Sequence, residues 1–305
     1  MDYKKILKSR EMRTKILHFL RFVPDEYMLK LQYRIKMDRK LNLESPERFT
    51  EKIQWYKLYY KNPLMIKCVD KYDVREFIKS KGVEDILIPC YGVYESEEQI
   101  DWEDLPNQFV MKDTLGGGGN SVIIVKDKEK TDVEELKSIA RRWVTQDAHI
   151  KGGGREWPYY SGKSHRIVIE KLLSADESGD LPDYKFFCFH GKVFCSYMME
   201  NYTLHHDEGR LGFFDREFNL LPVKRRDFAA IEQQPLKPKN YEKMLDIAER
   251  FAKEFPHVRV DFYNIDGNIF FGELTFYNSS GYVLFEPDKF DFELGAQFDL
   301  SLIKG

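Results

Sequence analysis

Asp261 and Glu273 lie on either side of the dipeptide Asp266-Gly267, in the runs Val258-Arg259-Val260-Asp261-Phe262-Tyr263 and Phe271-Gly272-Glu273-Leu274-Thr275. Asp-Gly is a strong short hairpin signal, because both central positions of such a turn want positive φ. Folding there carries Glu273 back beside Asp261. Two carboxylates facing each other across paired strands repel unless a positive charge lies between them. Mg2+ suits that place when phosphates are also bound, since it takes few carboxylates and leaves positions for substrate oxygens. Arg259 precedes Asp261 by two residues and therefore shares its strand face. The structural alternative is a surface hairpin carrying two unrelated acids.

A second group of residues suits phosphates. Phe109-Val110-Met111-Lys112 reads as an apolar strand ending in a lysine. It is followed by Leu115-Gly116-Gly117-Gly118-Gly119-Asn120-Ser121, and Val122-Ile123-Ile124-Val125 resumes as strand. The glycine loop thus joins strand to strand, which excludes the Walker and Rossmann arrangements, where a helix follows. Backbone N–H groups in such a loop still approach phosphates closely, with no Cβ in the way. A mobile hairpin tip is the plainer account, and mobility also fits a lid over a nucleotide. A further glycine-rich stretch, Lys151 to Pro158, reads either as a linker or as a lining of the acceptor site.

The elements that must position these groups follow from periodicity. Strands are expected at Ile86–Pro89, Tyr91–Tyr94, Ile167–Leu173, Asp183–Phe189 and Val193–Tyr197. Helical spacing appears over Tyr27–Ile35, Thr50–Tyr60, Asp132–Thr145 and residues 241–255, and a helix through Asp70–Phe77 would carry Lys71. Ser45-Pro46-Glu47 reads as a helix start. No internal repeat is visible.

Composition bounds the function. The chain has 305 residues, 42% hydrophobic and 32% charged, with a net charge of -3, long enough for two or three subdomains around a sizeable core. The near-neutral balance argues against a dedicated nucleic-acid binder. No run of eighteen apolar residues marks a membrane span. Cys68, Cys90, Cys188 and Cys195 lack CxxC spacing, and reduced thiols in a cytoplasmic protein are expected. Residues 1–45 carry twelve Lys and Arg against six Asp and Glu. That segment is read as docking on an anionic membrane or a polyanionic glycan, or else as a solvated helix face.

The pattern resembles the ATP-grasp superfamily, and within it the TupA-like ATP-grasp proteins of bacterial cell-surface polysaccharide synthesis. The matching pieces are Phe49-Thr50-Glu51-Lys52-Ile53-Gln54-Trp55, Asp70-Lys71-Tyr72, Phe109–Lys112 with its glycine loop, Asp183-Tyr184-Lys185-Phe186 and the Asp261/Glu273 hairpin. The resemblance implies an α+β fold of the ATP-grasp type, two α/β subdomains clasping a nucleotide, with a helical N-terminal region. The limits expected are 1–85 for that region, 86–168 for the small subdomain and 169–305 for the C-terminal one. ATP and Mg2+ are the implied cofactors. Lys71 and Lys112 resemble the lysines on the ATP phosphates. Gly116, Gly117, Gly118, Gly119, Asn120 and Ser121 resemble the loop over them. Glu170, Lys171 and Leu173 resemble the connection that holds adenine and ribose, and Asp183 and Lys185 are expected near nucleotide or acceptor, Lys185 with a catalytic role. Arg259 resembles the arginine on the reacting carbonyl phosphate, and Asp261 and Glu273 the metal ligands. Thr275 departs from the pattern, standing where such ligases commonly carry Asn as a metal ligand; Asn278 is a candidate to compensate.

The expected activity is ligation of a carboxylate to an amine through an acylphosphate. The expected partners are a small-molecule amine, such as an amino acid, and a uronic acid, glycan or peptide bearing the carboxylate. A sugar phosphotransferase, a glycosyltransferase and a non-catalytic nucleotide-binding protein are the alternatives. The glycosyltransferase is disfavoured because no adjacent DxD pair is present.

Overall fold

The computed structural model describes residues 16–17, 19–117, 121–174, 181–200 and 209–303. The chain divides into two compact units, the first comprising Met1–Asn62, Lys151–Trp157 and Ala175–Gly305, the second Pro63–Ile150 and Pro158–Ser174.

The first unit opens with helices α1 (Asp25–Met37) and α2 (Phe49–Tyr59). In α1, Met28, Leu29, Tyr33 and Met37 are buried, while Tyr27, Leu31 and Ile35 are exposed. Helix α2 starts at Phe49, a little beyond Ser45-Pro46-Glu47. Its first turn is closed by the Glu51 carboxylate, which accepts from the backbone N–H of Glu47 (3.1 Å) and Arg48 (3.2 Å).

The second unit holds the short helices α3 (Pro63–Val69) and α4 (Val74–Ser80), helix α5 (Val133–Val144), and strands β1 (Cys90–Tyr94), β2 (Phe109–Asp113), β3 (Val122–Val125) and β4 (Ile167–Lys171). The strands form one antiparallel sheet in the order β1-β4-β2-β3. Phe109, Met111, Ile167 and Ile169 point to the face covered by α5, where they meet Leu136, Ala140 and Trp143. Each large side chain buried there contributes roughly 1.5–3 kcal/mol. Alternation turns Lys112 and Glu170 to the opposite face.

The first unit resumes with strands β5 (Asp183–Phe189), β6 (Lys192–Glu200), β7 (Arg210–Phe214), β8 (Lys224–Arg225) and β9 (Ala229–Ala230), then helix α6 (Tyr241–Ala252). The hairpin strands β10 (His257–Ile265) and β11 (Asn268–Thr275) follow, then β12 (Phe285–Glu286) and helix α7 (Lys289–Gln297). Six strands pair in the order β11-β10-β5-β6-β7-β9, antiparallel except β7 with β9, and β12 pairs with β8. Phe186 and Phe262 face α6, where their rings meet Tyr241 and Phe251. Phe187, Phe189 and His257 face α2, with Phe49 packed on all three. This second face is apolar at one end and charged at the other.

Three local expectations change. Asp70–Asp73 is a turn between α3 and α4 and not the body of a helix, because the Asp70 carboxylate accepts from the N–H groups of Tyr72 (2.9 Å) and Asp73 (2.8 Å). Ile86–Pro89 is not strand: Glu84–Ile86 forms a 3-10 turn and pairing begins at Cys90. The second unit begins at Pro63, ahead of the boundary expected after residue 85, because the Lys71 N–H donates to Thr114 O (2.9 Å) and Arg166 grips Asp70 at 3.0 Å. Among the described residues no helix is long and apolar enough to cross a membrane.

Candidate functional site

The β10–β11 hairpin pairs Asp261 with Glu273 directly. Its turn places Asp266 at φ 53° and Gly267 at φ 95°, the left-handed geometry an Asp-Gly turn supplies at little strain. A register shift follows, Phe262 opposing Phe271, so Gly272 is the extra residue of a bulge. The fit at Gly272 is tight: a Cβ would sit 3.0 Å from Asp261 O and 3.3 Å from Asp261 Cβ.

Arg259 lies at the centre of the charged end of this face. Its Nε donates to Asp261 Oδ1 (2.6 Å) and its Nη2 to Asp261 Oδ2 (2.5 Å), a bidentate pair. The same Nη2 reaches Glu273 Oε1 (3.0 Å) and Thr275 Oγ1 (2.9 Å), and Nη1 reaches the Tyr197 hydroxyl (3.3 Å). On the neighbouring strand, Lys185 opposes Asp261 and its Nζ bridges Asp261 Oδ2 (2.6 Å) and Asp183 Oδ2 (2.5 Å). Asp183, Lys185, Arg259, Asp261, Glu273 and Thr275 therefore form one constellation on three adjacent strands.

The charges tune one another. Burial pushes Asp261 upward, but Arg259 and Lys185 outweigh it and hold the carboxyl below the usual range. Burial opposes the charge of Lys185, yet Asp183 and Asp261 raise it well above an ordinary lysine. Asp183 is pushed up to about 6 by burial, against the pull of Lys185 and with the repulsion of Asp261. One acid of the group is thus firmly ionised, and another titrates near neutrality.

The oxygen donors are of the hard kind that Mg2+ takes, but the positive charge that stands between the two carboxylates is the Arg259 guanidinium. Asp261, Glu273 and Thr275 present two carboxylates and a hydroxyl on one face, and a hard cation of this kind needs few protein oxygens when phosphates complete its shell. Glu273 is the open member, its side chain 52% exposed, whereas Asp261 is 1% exposed with both oxygens held by cations. No group of three or more His, Cys, Asp and Glu able to hold a metal occurs among the described residues. Asn278 is turned elsewhere: its Oδ1 lies 3.3 Å from His257 Nε2.

The second unit carries the phosphate-type residues. Lys112 Nζ donates to Glu170 Oε2 (2.7 Å), and Arg75 approaches Glu170 Oε1 (3.4 Å), so the buried Glu170 carboxylate is held between two cations. Lys71 Nζ donates to the carbonyls of Asp113 (3.0 Å) and Gly116, fixing the start of the glycine loop. The loop closes on itself through Asp113 N–H to Ser121 O (3.0 Å), and a Cβ at Gly116 would collide with the Ser121 side chain. Gly117 is described beside it; Gly118, Gly119 and Asn120 lie outside the described residues. Lys171 ends β4, exposed, and Leu173 follows in the connection beyond it.

Sequence reasoning missed a supporting layer in this unit. His165 Nδ1 lies 2.8 and 2.9 Å from the two oxygens of Asp113, whose Oδ1 also caps the Leu115 N–H (3.0 Å). Arg166 and Lys163 both pair with Asp70 and Asp73. The only trace in the sequence is the Asp-Lys-Tyr-Asp spacing; the cations come from ninety residues further along. In the first unit Tyr197 and Gly272 were likewise not singled out.

Among curated proteins none matches the chain. Among solved structures it is similar to N5-carboxyaminoimidazole ribonucleotide synthetase in complex with ADP, at 16% identity and a TM-score of 0.43, over 74% of this chain and 50% of that one. It is similar to D-alanine–D-alanine ligase from Bacillus anthracis at 19% identity and a TM-score of 0.42, over 68% and 57%. The ATP-grasp ligase PsnB, complexed with a precursor variant, Mg and ADP, aligns at 12% identity and a TM-score of 0.43, over 98% and 74%. The chain spans about half the length of the first two. A family match extends over residues 51–299, from within α2 to beyond α7, and on that extent the chain belongs to the TupA-like ATP-grasp family.

Proposed function

We propose that the protein is an ATP-dependent carboxylate–amine ligase that works through an acylphosphate and joins an amino acid to a carboxylate-bearing sugar of a bacterial surface polysaccharide. The observation that carries this reading is the constellation of Arg259, Asp261, Glu273, Thr275, Lys185 and Asp183, cationic and anionic groups set on one sheet face. Family membership supplies the nucleotide.

Lys112 and Lys71, with the loop amides near Gly116 and Gly117, hold the phosphates. Their positive field lowers the energy of the charge that builds on equatorial oxygens during phosphoryl transfer. Asp261 and Glu273, with Thr275 beside them, would hold Mg2+, which supplies further neutralisation of phosphate charge. A carboxylate oxygen of the acceptor attacks the terminal phosphorus and ADP leaves. The amine nitrogen then adds to the acyl carbonyl, Arg259 stabilises the oxyanion, and phosphate departs as the amide forms. The proton lost by the amine goes to Asp183, whose raised pKa suits a base near neutral pH.

The test is ADP release with uronic acids and amino acids offered in pairs, with the amide identified by mass. Lys112→Ala and Glu273→Gln should each lower the rate by about a hundredfold or more. If both variants release ADP like the parent, the assignment is wrong. A stable sugar phosphate formed without any amine would replace the ligase with a phosphotransferase.

A further inference from the structure

Helix α1 is apolar on two sides, and only one of them is used by the core. Met28, Leu29, Tyr33 and Met37 are buried within the first unit. On the outward side Tyr27, Leu31 and Ile35 recur every four residues and so form one stripe along the helix. They are 67, 50 and 42% exposed, where a plainly solvated face would carry polar side chains. Phe19 and Phe22 precede the helix, both largely exposed, with their rings 6.1 Å apart edge to face. Of the twelve large apolar side chains exposed among the described residues, six lie between residues 16 and 35. Single exposed apolar residues are ordinary on a protein surface, but a concentration of this kind marks an interaction face.

The face is held in place from beneath. The buried Arg155 guanidinium donates to the carbonyls of Leu20 (2.7 Å), Arg21 (3.3 Å) and Val23 (3.0 Å) and pairs with Asp25 (2.8 Å), which Lys151 also reaches (2.9 Å). The short turn that carries Phe22 is thereby fixed to the unit. Cations border the apolar stripe: Lys30 and Arg34 are exposed on α1 among its members, and Arg21 and Lys40 are exposed before and after the helix. The acids on this side are Glu26, paired with Lys30 at 2.5 Å, and Asp38, which follows the helix. Residues 1–45 hold six more cations than acids in a chain whose net charge is -3, so the remainder is net negative.

We propose that this face docks the protein on an anionic phospholipid bilayer, with Tyr27, Leu31 and Ile35 at the boundary of headgroups and acyl chains and Lys30 and Arg34 among the headgroup phosphates. The reading is independent of the reaction that the protein performs. A bilayer satisfies both features at once: it takes the apolar side chains out of water, and the long stems of Lys and Arg let their charges remain at the headgroups. Tyr27 and the two phenylalanines are side chains that membrane interfaces accept. A soluble polyanionic glycan would pair with the cations but leave the apolar stripe in water. The stripe runs along the outside of one helix and offers no groove for a peptide. Charge asymmetry supplies the orientation, since an anionic surface attracts this end of the chain and repels the net negative remainder.

The test is co-sedimentation of the full chain with vesicles of phosphatidylglycerol in phosphatidylcholine, beside vesicles of phosphatidylcholine alone. Binding should require the anionic lipid and weaken as salt is raised. It should fall at least about tenfold in the triple variant Tyr27→Ser, Leu31→Ser, Ile35→Ser, and likewise in the double variant Lys30→Glu, Arg34→Glu. All five side chains are exposed, so both variants should unfold at the temperature of the parent. Arg142→Glu, an exposed reversal on α5, should leave binding unchanged. Leu31→Trp should shift its emission to the blue on anionic vesicles, beyond any change in the parent, which adhesion by charge alone does not produce. Absence of binding, unchanged binding by the triple variant, or no blue shift overturns the proposal. So does binding of soluble polygalacturonate as tight as that of the vesicles and indifferent to the triple variant, or a dimer in ultracentrifugation that the triple variant dissolves.

Discussion

Arg259 binds both members of the acid pair and the Thr275 hydroxyl through a single nitrogen, while its other nitrogens hold Asp261 and Tyr197. A lysine has one point charge and no fork, so Arg259→Lys cannot hold all of these groups at once. The expected result is a fall in kcat for ADP release of about a hundredfold; an unchanged kcat would remove Arg259 from the reaction. Glu273 is the exposed oxygen donor. Glu273→Gln should therefore raise the Mg2+ concentration for half-maximal activity at least about tenfold, more than it changes the KM for ATP. Asp183, at about 6, should set the acid limb of the kcat/KM profile. Activity should rise as pH increases through about 6 and Asp183 loses its proton, and Asp183→Asn should flatten that limb.

At the scale of the element, the hairpin decides whether two acids become a pair. The Asp266-Gly267 turn sets the register as far as Phe262 and Phe271, and the bulge at Gly272 shifts it by one residue so that Glu273 opposes Asp261. Gly272→Ala would place a Cβ 3.0 Å from Asp261 O, closer than ordinary contact, so β11 has to give by a few tenths of an ångström beside the acid pair. We expect a stability loss of about 1–3 kcal/mol in denaturant unfolding, with a rise in the Mg2+ requirement like that of Glu273→Gln. A variant with normal stability and normal metal requirement would show that the bulge does not position Glu273. The glycine loop works differently. Its base is held by Lys71 and by the Asp113–His165 pair, so side chains well outside the loop set where it begins.

At the scale of the molecule, the apolar end of the same sheet face anchors the charged end. His257 is buried among Phe49, Phe189 and Phe298, with ring centroids 5.1, 4.8 and 5.2 Å away, and its Nδ1 meets Cys188 O at 2.9 Å. Burial pushes it down to about 4, so the folded protein keeps it neutral. Between its ordinary value near 6.5 and about 4, the unfolded chain binds more protons than the folded one. Stability from this group is therefore complete above about 6.5 and is lost as pH falls toward 4, by on the order of 3 kcal/mol. Asp183 acts oppositely over part of that window, so the measurement is the difference between parent and His257→Gln. The variant should lose less stability between pH 6.5 and 4, and an identical slope would refute the assignment.

Much of this was legible in the residues themselves. The Asp-Gly turn and the alternation on both sides of it determine the hairpin and bring Glu273 to the level of Asp261. A strict two-residue turn would oppose Asp261 with Gly272, so the direct pairing with Glu273 comes from the bulge, which alternation does not encode. Strand β5 runs over Asp183–Phe189 as its pattern implies, since its apolar side chains are needed on both faces. The remainder belongs to the tertiary structure. Local spacing says nothing of strand order, so the placement of β5 beside β10, which brings Lys185 onto Asp261, had no signature in either segment. Nor did the grip of Arg166 on Asp70. Those contacts join residues far apart in the chain, and only the packing of whole elements decides them.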